Sequence, residues 1–253
     1  MNREARAAVC CAGFAALFLD KGLKLGVKYL CNRLHKETEE GVDNMATKAL
    51  PVVEIAKDTY EIDEFDCGSI FVLVGADKAM VIDTGSGIGD LRGVIANITD
   101  KPIVLVITHA HGDHVGGLGW FDDYYMNKED VGKYAMEGVD FRRQYAGFIA
   151  QRSGKEYAYN VEEDIRPWPA DANPVRHDLE DGQTFDLGGG RIVTAMRAPG
   201  HTPGSMVLID PTTRILFAGD ACNCNTLFGS LPGDPTFVSV ETAGKALKDI
   251  YAL

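Results

Sequence analysis

The sequence predicts a soluble α/β domain, and three observations carry that prediction. Short runs rich in Val and Ile, bounded by Gly, Asp or Pro, recur from Pro51 onward. Between two of them, Ile88, Leu91, Val94, Ile95 and Ile98 return at helical spacing, which gives a β-α-β unit. At 253 residues, 45% of them hydrophobic, the chain can build one large core or two small ones.

The first 44 residues have a different texture. Residues 7–19 form an apolar run of thirteen, shorter than the roughly twenty a membrane span needs. A signal peptide fits poorly, because the flank before the run is weakly basic and Asp20-Lys21-Gly22 follows where a cleavage signal belongs. From Asp20 to Lys36, Leu23, Val27, Leu30 and Leu34 form a helical stripe with Lys21, Lys24 and Lys28 away from it. Residues 1–44 are therefore expected to be an N-terminal helical arm and linker, with the main domain over 45–253. Two roles suit residues 5–36: peripheral contact with an anionic membrane surface, or docking on the domain or on a second copy.

Charge narrows the function classes. The net charge is −12, and residues 1–38 hold a net +4, which leaves −16 for the remainder. A body this acidic lacks the Lys/Arg surplus that phosphate neutralisation needs, so nucleic acid is excluded as a general partner and a small-molecule substrate is expected. The six cysteines lack the regular spacing of a disulfide framework, and reduced thiols in a cytoplasm are the simpler expectation. Cys222-Asn223-Cys224 has one intervening residue, not two, and reads first as small packing residues.

Taken in order, strands are expected at 52–56, 69–74, 79–82 and 103–107. Asp83-Thr84-Gly85 ends the third of these and belongs on the rim where strand carboxyl ends collect functional loops. Its carboxylate would either orient a ligand imidazole or cap the following helix. Residues 120–176, with seven Tyr and Trp residues after Trp120 among many charges, read as mixed helix and loop: a lid-like insertion in which Phe141, Tyr145 and Phe148 share one helical face. Strands return at 183–187, 191–196, 206–210 and 215–218, and a closing helix over 239–253 takes Ser239 as its N-cap.

The chemistry concentrates in Thr108-His109-Ala110-His111-Gly112-Asp113-His114, directly after the fourth strand. A strand alternates its side chains between two faces and the glycine lets the chain turn, so His109, His111, Asp113 and His114 can converge on one point. Imidazole and carboxylate donors suit zinc, and iron or manganese less specifically. Downstream, His201 lies in the turn Ala198-Pro199-Gly200-His201-Thr202-Pro203-Gly204, which would fix an imidazole's orientation, and Asp220 follows a strand in Gly219-Asp220.

Asp83, the HAHGDH motif, His201 and Asp220 in this order resemble the metallo-β-lactamase superfamily, over residue 50 to the end of the chain. The resemblance implies an αβ/βα four-layer sandwich with its metals at one rim. It implies His109, His111 and His201 as ligands of a first metal, Asp113 and His114 as ligands of a second, and Asp220 as a bridge between them. It implies one or two zinc ions per chain, with iron or manganese as alternatives, and a metal-bound hydroxide that makes a protein nucleophile unnecessary. Asp113 would both ligate and hold the proton, the catalytic role assigned to it.

One departure matters. Members usually carry a further histidine after another helix and strand, whereas the 33 residues after Asp220 contain none. The domain is therefore expected to lack its C-terminal strand and helix, or to keep a second site of Asp113, His114 and Asp220 alone, with Cys222 or Cys224 as the less favoured surrogate. The expected activity is zinc-dependent hydrolysis of a small ester, lactone, thioester or amide. The alternatives are a mononuclear iron dioxygenase acting on persulfides, and a non-catalytic metal-binding or interaction domain.

Overall fold

The computed structural model describes residues 16–18, 49–133, 138–222 and 233–253. The apolar runs of the sequence become strands because they are buried on both faces. In β4 (Ser69–Val74), Ile70 and Val72 face a helical layer while Phe71 and Leu73 face a second sheet, the two-residue alternation of a strand. The next strand, β5 (Ala79–Ile82), divides in the same way, Val81 to one side and Met80 and Ile82 to the other.

These strands sit inside a seven-stranded sheet. On one side β4 pairs with β3 (Thr59–Asp63) and β3 with the edge strand β2 (Val52–Ala56), all antiparallel. On the other, β5 is followed by β6 (Ile103–Val106), β7 (Asp123–Met126) and β8 (Val175–Asp178), all parallel. Helix α1 (Leu91–Ile98), capped by the Asp90 side chain on Gly93 N, makes the crossover between β5 and β6. Parallel pairing puts the carboxyl ends of β5, β6 and β7 on one rim, and the three chemical segments Asp83, His109–His114 and Asp130 leave from there.

The second sheet has five antiparallel strands in the order β1-β12-β11-β10-β9. They are β1 (Ala16–Phe18), β9 (Thr184–Asp186), β10 (Ile192–Arg197), β11 (Met206–Asp210) and β12 (Ile215–Phe217). Phe185, Val193, Ala195, Met206, Leu208 and Phe217 meet Phe71, Leu73, Met80 and Val106 of the first sheet in the central core. Outside the first sheet lie α1 and α3 (Val139–Ser153), through Leu91, Ile95, Ala146 and Ile149. Outside the second lies α5 (Val240–Tyr251), N-capped by Ser239, through Ile250. The result is the expected four-layer sandwich. Two one-turn helices, α2 (Gly112–Val115) and α4 (Val161–Asp164), complete the elements named below.

Three expectations change. Residues 120–176 contain β7 near their start and the first two residues of β8 at their end, so both ends of the lid-like insertion belong to the first sheet; Asp123–Met126 is too short and too polar for its period to show. Strand β3 also went unforeseen, because Tyr-Glu-Ile-Asp hides its one deeply buried apolar residue, Ile62, among polar neighbours. Within the N-terminal arm, Ala16–Phe18 forms an edge strand antiparallel to β12, not helix; an apolar tripeptide fits an open sheet edge, whose pairing groups it satisfies. The remainder of that arm, including the basic stripe, lies outside the described residues. No described helix is long and apolar enough to cross a membrane.

Candidate metal centre

Each element of the rim delivers one part of the centre. After β6 the chain passes Thr108 and His109 and, from an extended His111, enters the single turn of α2, which carries Asp113 and His114. His201 comes from the β10–β11 turn and Asp220 from the loop after β12, so the second sheet closes the site from above. Ligand atoms of His109, His111 and His201 all lie within 4.8 Å of one another, and so do those of His109, His114 and Asp220. The six residues that the sequence proposed as ligands thus meet at one place, with Asp113 Oδ2 at 3.9 Å from His114 Nε2.

The spacing fits a cation. His111 Nδ1 faces His201 Nε2 at 2.7 Å and His109 Nε2 at 3.2 Å, so three ring nitrogens point at one small volume. A tetrahedral ion about 2.0–2.1 Å from each nitrogen would hold them roughly 3.3 Å apart, which matches the His109–His111 separation and would part His111 from His201 by about half an ångström. His114 Nε2 stands 3.9 Å from both Asp113 Oδ2 and Asp220 Oδ1, beyond hydrogen-bond reach but within the roughly 3–4 Å that separates two ligands of a shared ion. Asp220 Oδ2 is 3.3 Å from His201 Nε2, so its two oxygens face both groups. A carboxylate placed between the two groups could serve either.

Protonation follows burial and charge. Burial drives His109 well below the ordinary imidazole value, and neighbouring rings push the same way. Burial and His201 carry His111 down to about 3. Both are therefore neutral at physiological pH, as ligand imidazoles must be. Burial also pulls His114 down, but Asp83, Asp113 and Asp220 outweigh it and lift the ring to about 10. Asp220 is raised by burial, against the pull of His114 and His201. Without a cation, the second group of donors therefore holds a proton where a metal would sit.

Beneath these donors, Asp83 Oδ2 lies 2.7 Å from His114 Nδ1, while its carboxylate also accepts from Thr108 N at 2.7 Å and Thr108 Oγ1 at 2.8 Å. Asp83 therefore orients an imidazole, and the helix cap belongs to Asp90. The Asp83 backbone is left-handed, with φ 64°, a conformation that asparagine and aspartate tolerate better than most residues. Glu64, at 1% exposure, supports the following loop by accepting from Ser86 N and, at 2.7 Å, from Ile88 N. Burial lifts its carboxyl to about 8. A Cβ on Gly85, whose φ is +63°, would come within 2.6 Å of that carboxyl, so only glycine fits there.

The insertion is fastened to the same loops. The buried Arg142 of α3 donates to Ser86 O at 3.1 Å and Arg166 O at 2.9 Å. One turn on, the Tyr145 hydroxyl donates to Asp113 Oδ2 at 2.9 Å, and Phe141 stacks on the Tyr145 ring. Trp168 Nε1 donates to Gly116 O at 2.8 Å. Packing onto the core thus claims several of the aromatics, but Phe141 and Phe148 remain exposed at 37% and 58%. Sequence reasoning placed Tyr145 on an apolar face and missed its contact with Asp113. Cys222 packs against the Ala198–Leu216 cluster outside the second sheet and belongs to neither group of converging donors; burial keeps it a thiol, at about 11. It is not the surrogate ligand, and Cys224 lies outside the described residues.

Comparison with known proteins agrees with this geometry. The family described as the metallo-beta-lactamase superfamily matches residues 65–250. This chain belongs to the metallo-beta-lactamase superfamily. The acyl-coenzyme A thioesterase MBLAC2 of Bos taurus is 30% identical over 178 residues, which covers 65% of this chain and 61% of that protein. The chain thus matches about three fifths of that relative's length. Among solved structures, the subclass B3 metallo-beta-lactamase BJP-1 of Bradyrhizobium japonicum aligns with a TM-score of 0.54 at 18% identity, over 80% of this chain and 74% of that one. FEZ-1 of Legionella gormanii aligns at 0.51 and 18%, over 82% and 78%. At such identity the likeness is one of fold, and it gives the superfamily's two-sheet sandwich as the architecture of this member.

Proposed function

We propose that this superfamily member is a metal-dependent hydrolase, that zinc is its cation, and that its substrate is an acyl thioester. The observation that carries the reading is the pair of donor groups sharing His109, one of three imidazoles and one completed by His114 and Asp220. The thioester follows from the name of the relative MBLAC2.

His109, His111 and His201 would hold one cation; Asp113, His114 and Asp220 would hold a second. A divalent ion bound there supplies Lewis acidity, polarising a carbonyl and making water acidic enough to react near neutral pH. Asp113 and Asp220, with side chains 13% and 18% exposed, are the open side of a site whose floor, His114, is closed at 1%. Substrate therefore arrives over the two carboxylates. Water adds to the carbonyl carbon, the carbon–sulfur bond breaks, and Asp113 carries the water's proton to the departing sulfur, leaving acid and thiol. Tyr145 holds Asp113 Oδ2 during that transfer.

The convergence of the second donor group favours a hydrolase over the mononuclear iron dioxygenase, which needs the first group alone. The described thiols Cys67 and Cys222 are free, which suits a cytoplasmic setting. Contact of residues 5–36 with a membrane or a second copy belongs to the same proposal, and deletion of residues 1–44 followed by vesicle sedimentation tests it.

The deciding assay supplies the purified chain with zinc or manganese and presents an acyl-coenzyme A thioester, an aryl ester, a lactone and a β-lactam. Thiol release that falls about 10²-fold or more in Asp113→Asn supports the reading. One tightly held iron with no zinc, and no turnover of any of the four, overturns it.

A further inference from the structure

Asp130 has no part in the ligand set, yet its carboxylate connects the two loops that build the three-histidine group. The residue follows β7 in the first sheet and is buried at 1% exposure. Oδ2 accepts from Ala110 N at 3.1 Å, between His109 and His111. The same oxygen accepts from Thr202 Oγ1 at 2.8 Å, next to His201. Oδ1 accepts from Gly204 N at 2.7 Å, in the same turn. A Cβ on Gly204 would lie 2.6 Å from the Asp130 carboxyl carbon, so the glycine there permits the approach.

We infer that Asp130 is the positioning residue of the first metal site. It ties the His201 turn of the second sheet to the His109–His111 segment of the first, and so sets the separation of the three nitrogens. Asp83 does the equivalent for the second site through His114 Nδ1. Two buried aspartates thus divide the centre, one for each group of donors. Geometry requires a carboxylate at 130, because three donors reach its two oxygens. An asparagine would turn an NH2 group toward at least one of them, and the two loops would part.

The inference rests on the metal-centre reading, and its test separates the two. Zinc alone is titrated against a chromophoric chelator into the wild-type chain, Asp130→Asn and Thr202→Val, with the melting temperature of each metal-free protein measured beside it. Asp130→Asn is expected to bind its first zinc about 10- to 100-fold more weakly. Thr202→Val, which deletes one of the three bonds, is expected to lose about two- to tenfold. Cobalt added to Asp130→Asn is expected to show an altered ligand-field spectrum, a change that scaffold loosening elsewhere would not produce. A wild type that takes up no zinc overturns the metal-centre reading and this one with it. Tight wild-type binding with unchanged first-zinc affinity in both variants, whatever their melting temperatures, overturns this one alone. If Asp130→Asn yields no folded protein, Thr202→Val decides.

Discussion

Asp83 Oδ2 lies 2.7 Å from His114 Nδ1, at the floor of the site and closed to solvent. The contact fixes which ring nitrogen faces inward and leaves Nε2 directed at Asp113 and Asp220. Replacing the carboxylate with an amide should weaken the second donor group while sparing the first. Asp83→Asn is expected to bind its second zinc about 10- to 100-fold more weakly, with the first equivalent close to wild type. Isothermal titration of zinc into both proteins checks this, and equal loss at both equivalents would contradict it.

Tyr145 reaches Asp113 from the insertion, so α3 touches the donor group directly. Tyr145→Phe removes a hydrogen bond to a charged group and keeps the ring that stacks with Phe141. The expected outcome in steady-state kinetics is a fall in kcat of about tenfold or more, with KM little changed. A change confined to KM would make Tyr145 a substrate contact instead.

The raised pKa of His114 predicts a pH dependence. Its folded-state value, about 10, lies above the unfolded value of 6.5. The stability it gives the metal-free protein is therefore fully present below about pH 6.5 and is lost as pH rises through about 10. A cation entering the second group must displace that proton, so affinity there should rise about tenfold per pH unit between 7 and 10. Zinc titrations at pH 7 and pH 8 measure the slope, and a flat response would contradict it.

Metal removal should also be visible in stability. A cation that binds only the folded state stabilises it by about 2.7 kcal/mol at one hundred times its dissociation constant. Dialysis against a chelator is expected to lower the melting temperature, and zinc is expected to restore it. His111→Ala should show little of either change.

The candidate ligands were legible in the sequence because their chemistry is compressed. HAHGDH places four donors within six residues, and His201 is enclosed by Pro and Gly. Strands β4 and β5 were legible for a related reason: burial on both faces leaves continuous apolar runs. Asp130 was hidden because its meaning depends on Asp123–Met126 being the third parallel strand, and a four-residue strand containing one deeply buried apolar residue has no readable period. Glu64 and Arg142 were hidden because a buried ionisable side chain looks like a surface one until its partners, here backbone groups of residues 86–88 and 166, are brought to it. The strand at Ala16–Phe18 depended on an open edge beside β12, which local composition does not encode.

The proposed centre depends first on the three imidazoles of His109, His111 and His201. Crystals grown with zinc and measured at the zinc absorption edge test it in one experiment. The predicted result is an anomalous peak about 2.1 Å from a ring nitrogen of each of His109, His111 and His201. No peak there at saturating zinc, with the three rings in the same place, would contradict it.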